Sequence, residues 1–210
     1  MFIRNKKVLA VVPAYNEEGN IVSAVADLQE NAPFADYVII NDGSTDGTSR
    51  ICCERSYNVV SHAVNLGLAA AVQTGMLYAL RNGYDYVVQF DADGQHSAAY
   101  IRDMVELAES NGCDIVIGSR FQNRKKPVSA RMAGSLLITF MIRLTTGFKI
   151  NDPTSGMRLF GRRAIELFAT ELNFSPEPDT IAHLIRNGFS VCETQVDMRD
   201  RMTGESYLNI

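Results

Sequence analysis

Short runs of apolar and β-branched residues alternate with longer segments of helical periodicity along the first 120 residues. The runs are Val8 to Val12, Tyr37 to Ile40, Tyr86 to Phe90 and Asp114 to Ile117, and polar or glycine-rich residues follow each one. Strands that are apolar on both faces and separated by helices indicate a mostly parallel sheet covered by helices on both sides. The pattern therefore predicts an α/β fold whose ligands gather at the carboxyl ends of the strands.

The segments between these runs predict helices. The first helix is predicted from four apolar residues at helical spacing: Ile21, Val22, Val25 and Leu28. Asn16 is placed to cap this helix with its side chain. Further helices are predicted at 46–55, 68–81 and 97–111, so that each strand except the last is followed by a helix.

Composition and charge limit the class of protein. The chain has 210 residues, of which 46% are hydrophobic and 21% charged, and these values are typical of one globular domain spanning 1–210. The net charge of -4 argues against nucleic acid as a partner, because general nucleic-acid binding needs a broad basic surface. An anionic ligand must therefore be met by a local group of cations.

The cysteines and the N-terminus bear on the compartment. Four cysteines are present, Cys52, Cys53, Cys113 and Cys192, with no Cys-X-X-Cys spacing and no nearby histidine ligands. This arrangement argues against zinc and against a disulfide framework, and it favours a reducing cytosol. The apolar run before Pro13 is too short for the core of a signal peptide, so we expect a protein that is not exported.

Polar motifs follow three of the predicted strands, and one of them is an Asp-Ala-Asp sequence. If the chain is extended there, Asp91 and Asp93 point the same way, and Gly94 allows the chain to turn directly afterwards. Two carboxylates on one side suit Mg²⁺ or Mn²⁺, which complete their coordination with water and substrate phosphates. Taken alone, such a pair is most often a solvated turn. The glycine-rich loops of dinucleotide oxidoreductases and of P-loop nucleotidases are both missing from the sequence.

Five motifs together resemble family 2 glycosyltransferases with the GT-A fold. They are Pro13 to Glu18, Asn41 to Asp46, Asn65 to Gly67, Asp91 to Gln95 and Gly118 to Arg120. In the second half, Asp152 to Arg158 and Arg201 to Ser206 are similar to the branch of dolichyl-phosphate mannose synthases and bacterial polyprenyl-phosphate glycosyltransferases. The resemblance covers residues 7–208, nearly the whole chain.

The resemblance implies that the first half, 1–120, holds the nucleotide sugar and the metal. Contacts with the nucleotide sugar are implied for seven residues: Pro13, Tyr15, Glu17, Asp42, Asp91, Arg120 and Arg201. A site for Mg²⁺ or Mn²⁺ is implied at Asp91, Asp93 and Gln95. Asp93 and Asp152 are the implied catalytic residues.

The second half, 121–210, is implied to bind the acceptor. Acceptor contacts are implied for three residues: Arg131, Ser155 and Glu177. Five cations fall within residues 120–131, and arginine binds phosphate with two parallel hydrogen bonds. Asp152 is a general base if the acceptor is a hydroxyl group. If the acceptor is a phosphate, which is already an anion, Asp152 orients it instead; a plain turn residue before Pro153 stays open as a third interpretation.

The stretch 132–148 is apolar on nearly every face of a helix and falls short of the length that spans a bilayer. Two interpretations stay open. The stretch is either an interfacial helix that makes peripheral contact with a membrane, or a helix buried in the core or in the interface of a homo-oligomer.

We expect an inverting glycosyltransferase that moves a sugar from a UDP- or GDP-sugar to polyprenyl phosphate at the cytosolic face of the cell membrane. One alternative is transfer to a sugar hydroxyl of a glycolipid or polysaccharide. A sugar-nucleotide pyrophosphorylase is disfavoured, because residues 13–20 do not resemble its glycine-rich loop. The remaining alternative is a non-catalytic module that binds a nucleotide sugar.

Overall fold

The computed structural model describes residues 6–123, 130–171 and 178–198. Seven strands form one sheet: β1 (Val8–Ala14), β2 (Asp36–Asn41), β3 (Val59–Ser61), β4 (Tyr86–Gln89), β5 (Ile115–Ser119), β6 (Arg158–Gly161) and β7 (Val191–Gln195). The helices described are α1 (Ile21–Asn31), α2 (Thr48–Glu54), α3 (Leu68–Arg81), α4 (Tyr100–Asn111), α5 (Ala130–Thr146), α6 (Arg162–Thr170) and α7 (Pro178–Arg186).

The strands lie in the order β3-β2-β1-β4-β6-β5-β7. All neighbouring pairs are parallel except those of β6, which runs antiparallel to both β4 and β5. The predicted mostly parallel sheet is confirmed. Because β6 is reversed, its first residue, Arg158, pairs with Gln89 near the end of β4 and with Ile117 in β5. The loop that leads into β6 therefore reaches the edge where the parallel strands end, which we call the carboxyl edge.

Helices cover both faces of the sheet, as the apolar pattern predicted. Along β1, Val8, Ala10 and Val12 point to one face, whereas Leu9 and Val11 point to the other. The first face packs against α1, α2 and α4, and the second against α3, α5, α6 and α7. Each fully buried aliphatic or aromatic side chain contributes roughly 1.5–3 kcal/mol, so this double layer holds the carboxyl edge rigidly in place.

The predicted boundaries of the strands and helices are close to those observed, and helix 68–81 is confirmed at both ends. The predicted cap of α1 is wrong. The helix begins at Ile21 after Asn20, because the amides of Asn20 and Ile21 both donate to the carbonyl of Glu17 and form a turn first. Asn16 lies before this turn with φ 57°, outside the helix.

The expectation of no disulfide is also wrong. Cys113 and Cys192 form one, with their Cα atoms 6.1 Å apart. Cys113 precedes β5 and Cys192 lies in β7, and the parallel pairing of these strands brings the cysteines within disulfide distance. Their separation of 79 residues left no spacing signal in the sequence. The disulfide removes the cysteine argument for a reducing compartment.

The predicted apolar helix is present as α5, and only part of it is covered. Ile142 is buried in the core, whereas Leu137 and Leu144 are 62% and 67% exposed. Within the described residues, no helix has both the length and the apolar character that crossing a membrane requires.

Candidate active site

Two loops lie side by side at the carboxyl edge, one after β1 and one after β2. The amide of Asn16 donates to Oγ of Ser44 (3.0 Å), and the amide of Thr45 donates to Oδ1 of Asn16 (2.8 Å). The amide of Gly47 donates to Oε2 of Glu18 (2.7 Å). Asn16 therefore bridges the two loops, and asparagine tolerates the left-handed conformation that this requires.

The predicted nucleotide-contacting residues of the first loop lie at this edge. Pro13 is in β1, Tyr15 is half-buried, and Glu17 is half-buried in the turn before α1. The amide of Glu17 donates to Oγ1 of Thr48 (2.9 Å), and its Oε2 accepts a hydrogen bond from Asn20 (2.7 Å). These bonds orient the Glu17 side chain within the protein.

Asp42 is buried directly after β2, and its carboxylate organises the next loop. Oδ1 accepts hydrogen bonds from Nδ1 of His62 (2.7 Å) and the amide of Leu66 (2.9 Å), and Oδ2 accepts one from the amide of Gly67 (2.8 Å). Burial alone raises the pKa of Asp42, but the hydrogen bonds from His62 and the two amides outweigh it, so this pKa lies below its usual value. Asp42 is therefore an ionised anchor at the start of α3.

The turn after Asp42 lies directly against the same loop. Gly43 has φ +68°, and a Cβ at this position would overlap the backbone of Val64 and Asn65. Only glycine permits both this conformation and this close approach. The spacing between the Asp42 turn and the loop before α3 is thereby fixed.

The Asp-Ala-Asp motif lies in a turn, because β4 ends at Gln89. Oδ1 of Asp91 accepts a hydrogen bond from Nε2 of Gln89 (3.2 Å), and Oδ1 of Asp93 accepts one from the amide of Gln95 (3.0 Å). The expected extended alternation of the two carboxylates is thus replaced by a side-chain-to-backbone turn. The pair still lies at the carboxyl edge, beyond the strand that precedes it.

The charge balance at Asp91 fits a divalent cation. Burial raises the pKa of the Asp91 carboxyl, and the negative charge of Asp93 adds to the rise, whereas His96, Gln89 and Arg158 offset it only in part. Yet 31% of the Asp91 side chain is accessible. In the described ranges no three His, Cys, Asp or Glu side chains form a metal cluster. Two carboxylates that leave room for water and phosphate oxygens are typical of Mg²⁺ or Mn²⁺ bound with a nucleotide.

Gly156 provides the space that Asp91 occupies. A Cβ at this position would lie 2.5 Å from Oδ2 of Asp91 and 3.3 Å from Cε1 of His96. The loop before β6 therefore approaches the aspartate turn as closely as a glycine allows. This close approach couples the second half of the chain to the predicted metal site.

His96, which directly follows the aspartate motif, is buried beside the predicted metal site. It is 3% exposed, and its Nδ1 lies 4.0 Å from Oδ2 of Asp91. Neither ring nitrogen has a hydrogen-bond partner within the described part of the chain. A histidine directly after the motif gave no sequence signal that it would be buried.

Asp152 and Arg120 form a buried ion pair with two parallel hydrogen bonds. Nε of Arg120 donates to Oδ2 (2.6 Å) and Nη2 donates to Oδ1 (2.7 Å), while the amide of Arg120 adds a third bond to Oδ2 (3.0 Å). Asp152 is fully buried, and burial alone would raise its pKa, but the hydrogen bonds and charge of Arg120 hold it below its usual value. A general base must lie within hydrogen-bond reach of the acceptor, and both oxygens of this buried carboxylate already accept hydrogen bonds from Arg120 and Thr154.

Strand β7 holds both ends of this ion pair in place. Glu193 accepts hydrogen bonds from the amide and side chain of Asn151 (both 2.8 Å) and from the amide of Asp152 (2.9 Å). Nε2 of Gln195, two residues further on the same side of the strand, donates to the carbonyl of Arg120 (3.0 Å). The roles of Glu193 and Gln195 were not predicted, because their partners lie 41 to 75 residues away in the sequence.

The loop between Asp152 and β6 is held by two buried side chains. Oγ of Ser155 donates to the carbonyl of Gly118 (2.5 Å), so the hydroxyl of this predicted acceptor residue is turned into the protein. Arg158 is 2% exposed and donates to the carbonyls of Ser155 (2.9 Å) and Pro153 (2.8 Å). Both residues shape the loop from within.

Some predicted residues fall beyond what the structure describes. Glu177, Arg201 and the basic residues 124–126 lie outside the described ranges. Arg131 is in the first turn of α5, and its side chain is outside the described part. The other predicted residues lie at or beside the carboxyl edge.

Solved structures share this fold. Glucosyl-3-phosphoglycerate synthase from Mycobacterium tuberculosis, in complex with phosphoglyceric acid, superposes with a TM-score of 0.69 at 21% identity, over 96% of this chain and 74% of that chain. The same enzyme with Mn²⁺, uridine diphosphate and glucosyl-3-phosphoglycerate gives a TM-score of 0.65 at 22% identity, over 94% and 73%. The fold is that of a GT-A glycosyltransferase.

Sequence comparison then gives the family. Residues 9–168 match the model of glycosyl transferase family 2, and the chain therefore belongs to this family and is a glycosyltransferase. The resemblance drawn from the five motifs is confirmed.

Characterised relatives cover most of the chain. Undecaprenyl-phosphate mannosyltransferase from Micrococcus luteus is 30% identical over 97% of this chain and 88% of its own length. Polyprenol monophosphomannose synthase from Mycolicibacterium smegmatis is 28% identical over 97% and 82%. UDP-N-acetylglucosamine–dolichyl-phosphate N-acetylglucosaminyltransferase from Methanococcus voltae is 30% identical over 80% and 74%.

The contact between Gly156 and Asp91 is open to a direct test. Gly156→Ala places a methyl group where Oδ2 of Asp91 lies, so the carboxylate must move. We expect the affinity for Mn²⁺ in the presence of UDP to fall about 10-fold to 100-fold, as for other changes that misplace a metal ligand. Calorimetric titration of Mn²⁺ measures this loss.

The control is Gly134→Ala in α5, where a Cβ would meet nothing within 4 Å. This variant should bind Mn²⁺ like the wild type and fold at least as well, because alanine favours a helix. Equal Mn²⁺ affinity in the two variants would contradict the assignment of Asp91 to the metal site.

The ion pair of Asp152 predicts a pH-dependent contribution to stability. Because the folded pKa of Asp152 is lowered, the stabilisation is present above the unfolded pKa, about 3.9, and is lost as the pH falls through the folded value. Asp152→Asn should cost on the order of 2 kcal/mol at pH 7, allowing for the partial exposure of Arg120. The difference from the wild type should shrink below pH of about 4.

Urea unfolding at several pH values measures this difference. Asp103→Asn, an exposed aspartate in the first turn of α4, removes the same charge and should change stability little at any pH. A constant difference between Asp152→Asn and the wild type down to pH of about 3 would show that the ion pair is not its source.

Proposed function

We propose that this glycosyltransferase moves a sugar from a UDP- or GDP-sugar to a polyprenyl phosphate, with inversion and with the help of Mg²⁺ or Mn²⁺. The observation that carries the proposal is the set of relatives that act on lipid phosphates, two of which align over 97% of the chain. The domain works as one unit from 1 to 210, with the donor held by its first half and the acceptor by its second.

The donor binds along the carboxyl edge of β1, β2 and β4. Pro13, Tyr15 and Glu17 line the nucleoside side together with Asp42, whose ionised carboxylate accepts hydrogen bonds from ring N–H or ribose hydroxyl groups. The loops that carry these residues are joined by hydrogen bonds before any ligand arrives. Preorganisation of this kind lowers the entropic cost of binding the nucleotide.

The diphosphate binds beside the aspartate turn. Asp91 and Asp93 hold the metal, with Gln95 next to them, and the raised pKa of Asp91 marks the position that lacks compensating positive charge. When bound, a divalent cation neutralises charge that develops on the departing diphosphate. We assign the catalytic role of the pair to Asp93, as the resemblance to the family implies.

Arg120 contributes the fixed cation of the site. Its Nε and Nη2 are bound to Asp152, whereas its Nη1 makes no hydrogen bond with any described residue, and the side chain is 26% exposed. The two N–H groups of Nη1 remain for a phosphate oxygen. Asp152 acts by holding Arg120 in this orientation, and a phosphate acceptor needs no general base because it is already ionised.

The acceptor approaches from the side of α5. Six large apolar side chains are exposed on α5 and just after it: Leu136, Leu137, Phe140, Met141, Leu144 and Phe148. Arg143 lies among them in the sequence and Lys149 directly follows Phe148, and apolar side chains with neighbouring cations are typical of helices at an anionic lipid surface. The helix thus makes peripheral contact with the membrane, and a homo-oligomer interface is the other way to cover it.

The phosphate of the lipid then meets Arg131 at the start of α5, with Glu177 supporting the acceptor geometry. Ser155 acts indirectly, through the loop that its buried hydroxyl holds. Because UDP- and GDP-sugars are cytosolic metabolites, we place the reaction at the cytosolic face of the membrane, even though the disulfide is unusual in a reducing compartment.

Release of nucleoside diphosphate tests the proposal. A panel of UDP- and GDP-sugars is incubated with Mn²⁺ or Mg²⁺, each with and without a short polyprenyl phosphate. We expect one class of donor to release its diphosphate only when lipid phosphate and metal are both present.

The matched control is Asp93→Asn, which should release no diphosphate while its thermal melting stays near that of the wild type. If the release of nucleoside diphosphate does not depend on the lipid phosphate but increases when a sugar hydroxyl acceptor is added, the proposed acceptor is contradicted. Release without any divalent metal would contradict the role of Asp91 and Asp93.

A further inference from the structure

His62 connects Asp42 with the helix that follows it. The residue comes directly after β3, and its amide donates to the carbonyl of Asn41 (2.9 Å). Its ring is 10% exposed, with Nδ1 2.7 Å from Oδ1 of Asp42 and Nε2 2.9 Å from Oγ1 of Thr74 on α3. None of the motifs that identify the family includes His62 or Thr74.

The direction of both hydrogen bonds follows from their chemistry. The ionised carboxylate of Asp42 only accepts, so Nδ1 of His62 carries the proton and donates it. In the neutral ring Nε2 then accepts, and the hydroxyl of Thr74 donates to it. The chain of bonds runs from Thr74 through His62 to Asp42 and fixes both the tautomer and the plane of the ring.

The carboxylate of Asp42 has more acceptor positions than the described donors fill. A carboxylate offers about four acceptor positions. On Asp42, Oδ1 uses two of them for His62 and the amide of Leu66, and Oδ2 uses one for the amide of Gly67. Within the described residues, the second position on Oδ2 therefore accepts no hydrogen bond, and 5% of the Asp42 side chain is exposed.

We infer that His62 is a positioning residue that fixes the rotation of the Asp42 carboxylate, so that Oδ2 presents its open acceptor position to the ring N–H of the donor's base. The inference rests on the proposed function, since it needs a nucleotide at this site. Uracil and guanine both carry such an N–H group, so the role is the same for either base.

The two amides donate to one oxygen each, and the bond from His62 adds a third donor, on Oδ1, that resists rotation of the carboxylate. Leu66 and Gly67 are neighbours, and both lie on the side of the carboxylate that faces the start of α3. The third donor, His62, directly follows β3, and Thr74 on α3 holds its ring. A hydrogen bond to a charged group contributes more than one between neutral groups, so we expect its loss to lower the affinity for the nucleotide measurably.

Two substitutions of His62 distinguish the role of its Nδ1 from that of its Nε2. His62→Asn keeps an N–H donor near the position of Nδ1, and His62→Gln keeps a polar group near the position of Nε2 only. Thr74→Val removes the hydroxyl with little change of shape. Calorimetry measures the binding of UDP, GDP and inorganic pyrophosphate, each with Mn²⁺, and thermal melting checks that every variant is folded.

We expect His62→Gln to lower the affinity for the nucleotide that the wild type binds, UDP or GDP, by about tenfold. His62→Asn should stay within about threefold of the wild type, and Thr74→Val should fall between the two, because the ring still donates but is less firmly held. Pyrophosphate lacks a base, so its affinity should be unchanged in all three variants.

The contrary outcomes are distinct. If His62→Asn and His62→Gln lose the same affinity for the nucleotide, the ring only fills space and the inference is overturned. The same holds if a variant loses as much affinity for pyrophosphate as for the nucleotide. Unchanged nucleotide binding in all variants would overturn it as well. If His62→Gln does not fold, Thr74→Val decides by the same comparison. A wild type that binds neither UDP nor GDP would overturn the proposed function itself.

Discussion

The reversed strand β6 is the constraint on which the site depends. Among the described strands, every other neighbouring pair is parallel, and only β6 enters the sheet from the carboxyl edge, between β4 and β5. The loop in front of it must therefore lie between the ends of these two strands. That position puts Gly156 against Asp91 on one side and Asp152 against Arg120 on the other. Because β6 is reversed, the two halves of the chain meet at the carboxyl edge.

The carboxylates at this edge differ in how their charge is compensated. The pKa values of Asp42, Asp46 and Asp152 are all lowered, because hydrogen bonds and neighbouring cations outweigh the effect of burial. The pKa of Asp91 is raised, since burial dominates and Asp93 adds like charge. The negative charges of Asp42, Asp46 and Asp152 are thus compensated by groups of the protein itself. Asp91 is the one of these four whose negative charge the described residues compensate least, and this fits the metal that we propose for the aspartate turn.

The sequence predicts the parallel part of the fold well, for a physical reason. Alternation of buried strands and amphipathic helices is a local signal, and it located β1, β2, β4 and β5 and the helices between them. Strands β6 and β7 were not predicted, because neither carries a continuous buried apolar run and because their pairing with β5 joins segments far apart in the sequence. The disulfide between Cys113 and Cys192 depends on the same distant pairing.

The candidate site divides in the same way. Asp42, Asp91 and Asp152 were predictable because each belongs to a motif, and two of them directly follow strands. Their partners were not, because a single histidine such as His62 or a single glutamate such as Glu193 has no local signature. Asp152 illustrates the limit most clearly. Its sequence allowed a general base, and only the contact with Arg120 shows a buried, fully paired carboxylate.

The central claim is that the aspartate turn binds the metal that meets the donor's diphosphate. Diffraction from crystals grown with Mn²⁺ and UDP, recorded near the manganese absorption edge, tests it most directly. The account predicts one strong anomalous peak within coordination distance of the Asp91 or Asp93 carboxylate and of the diphosphate oxygens. Well-ordered UDP at the carboxyl edge with no manganese peak beside these two aspartates would contradict it.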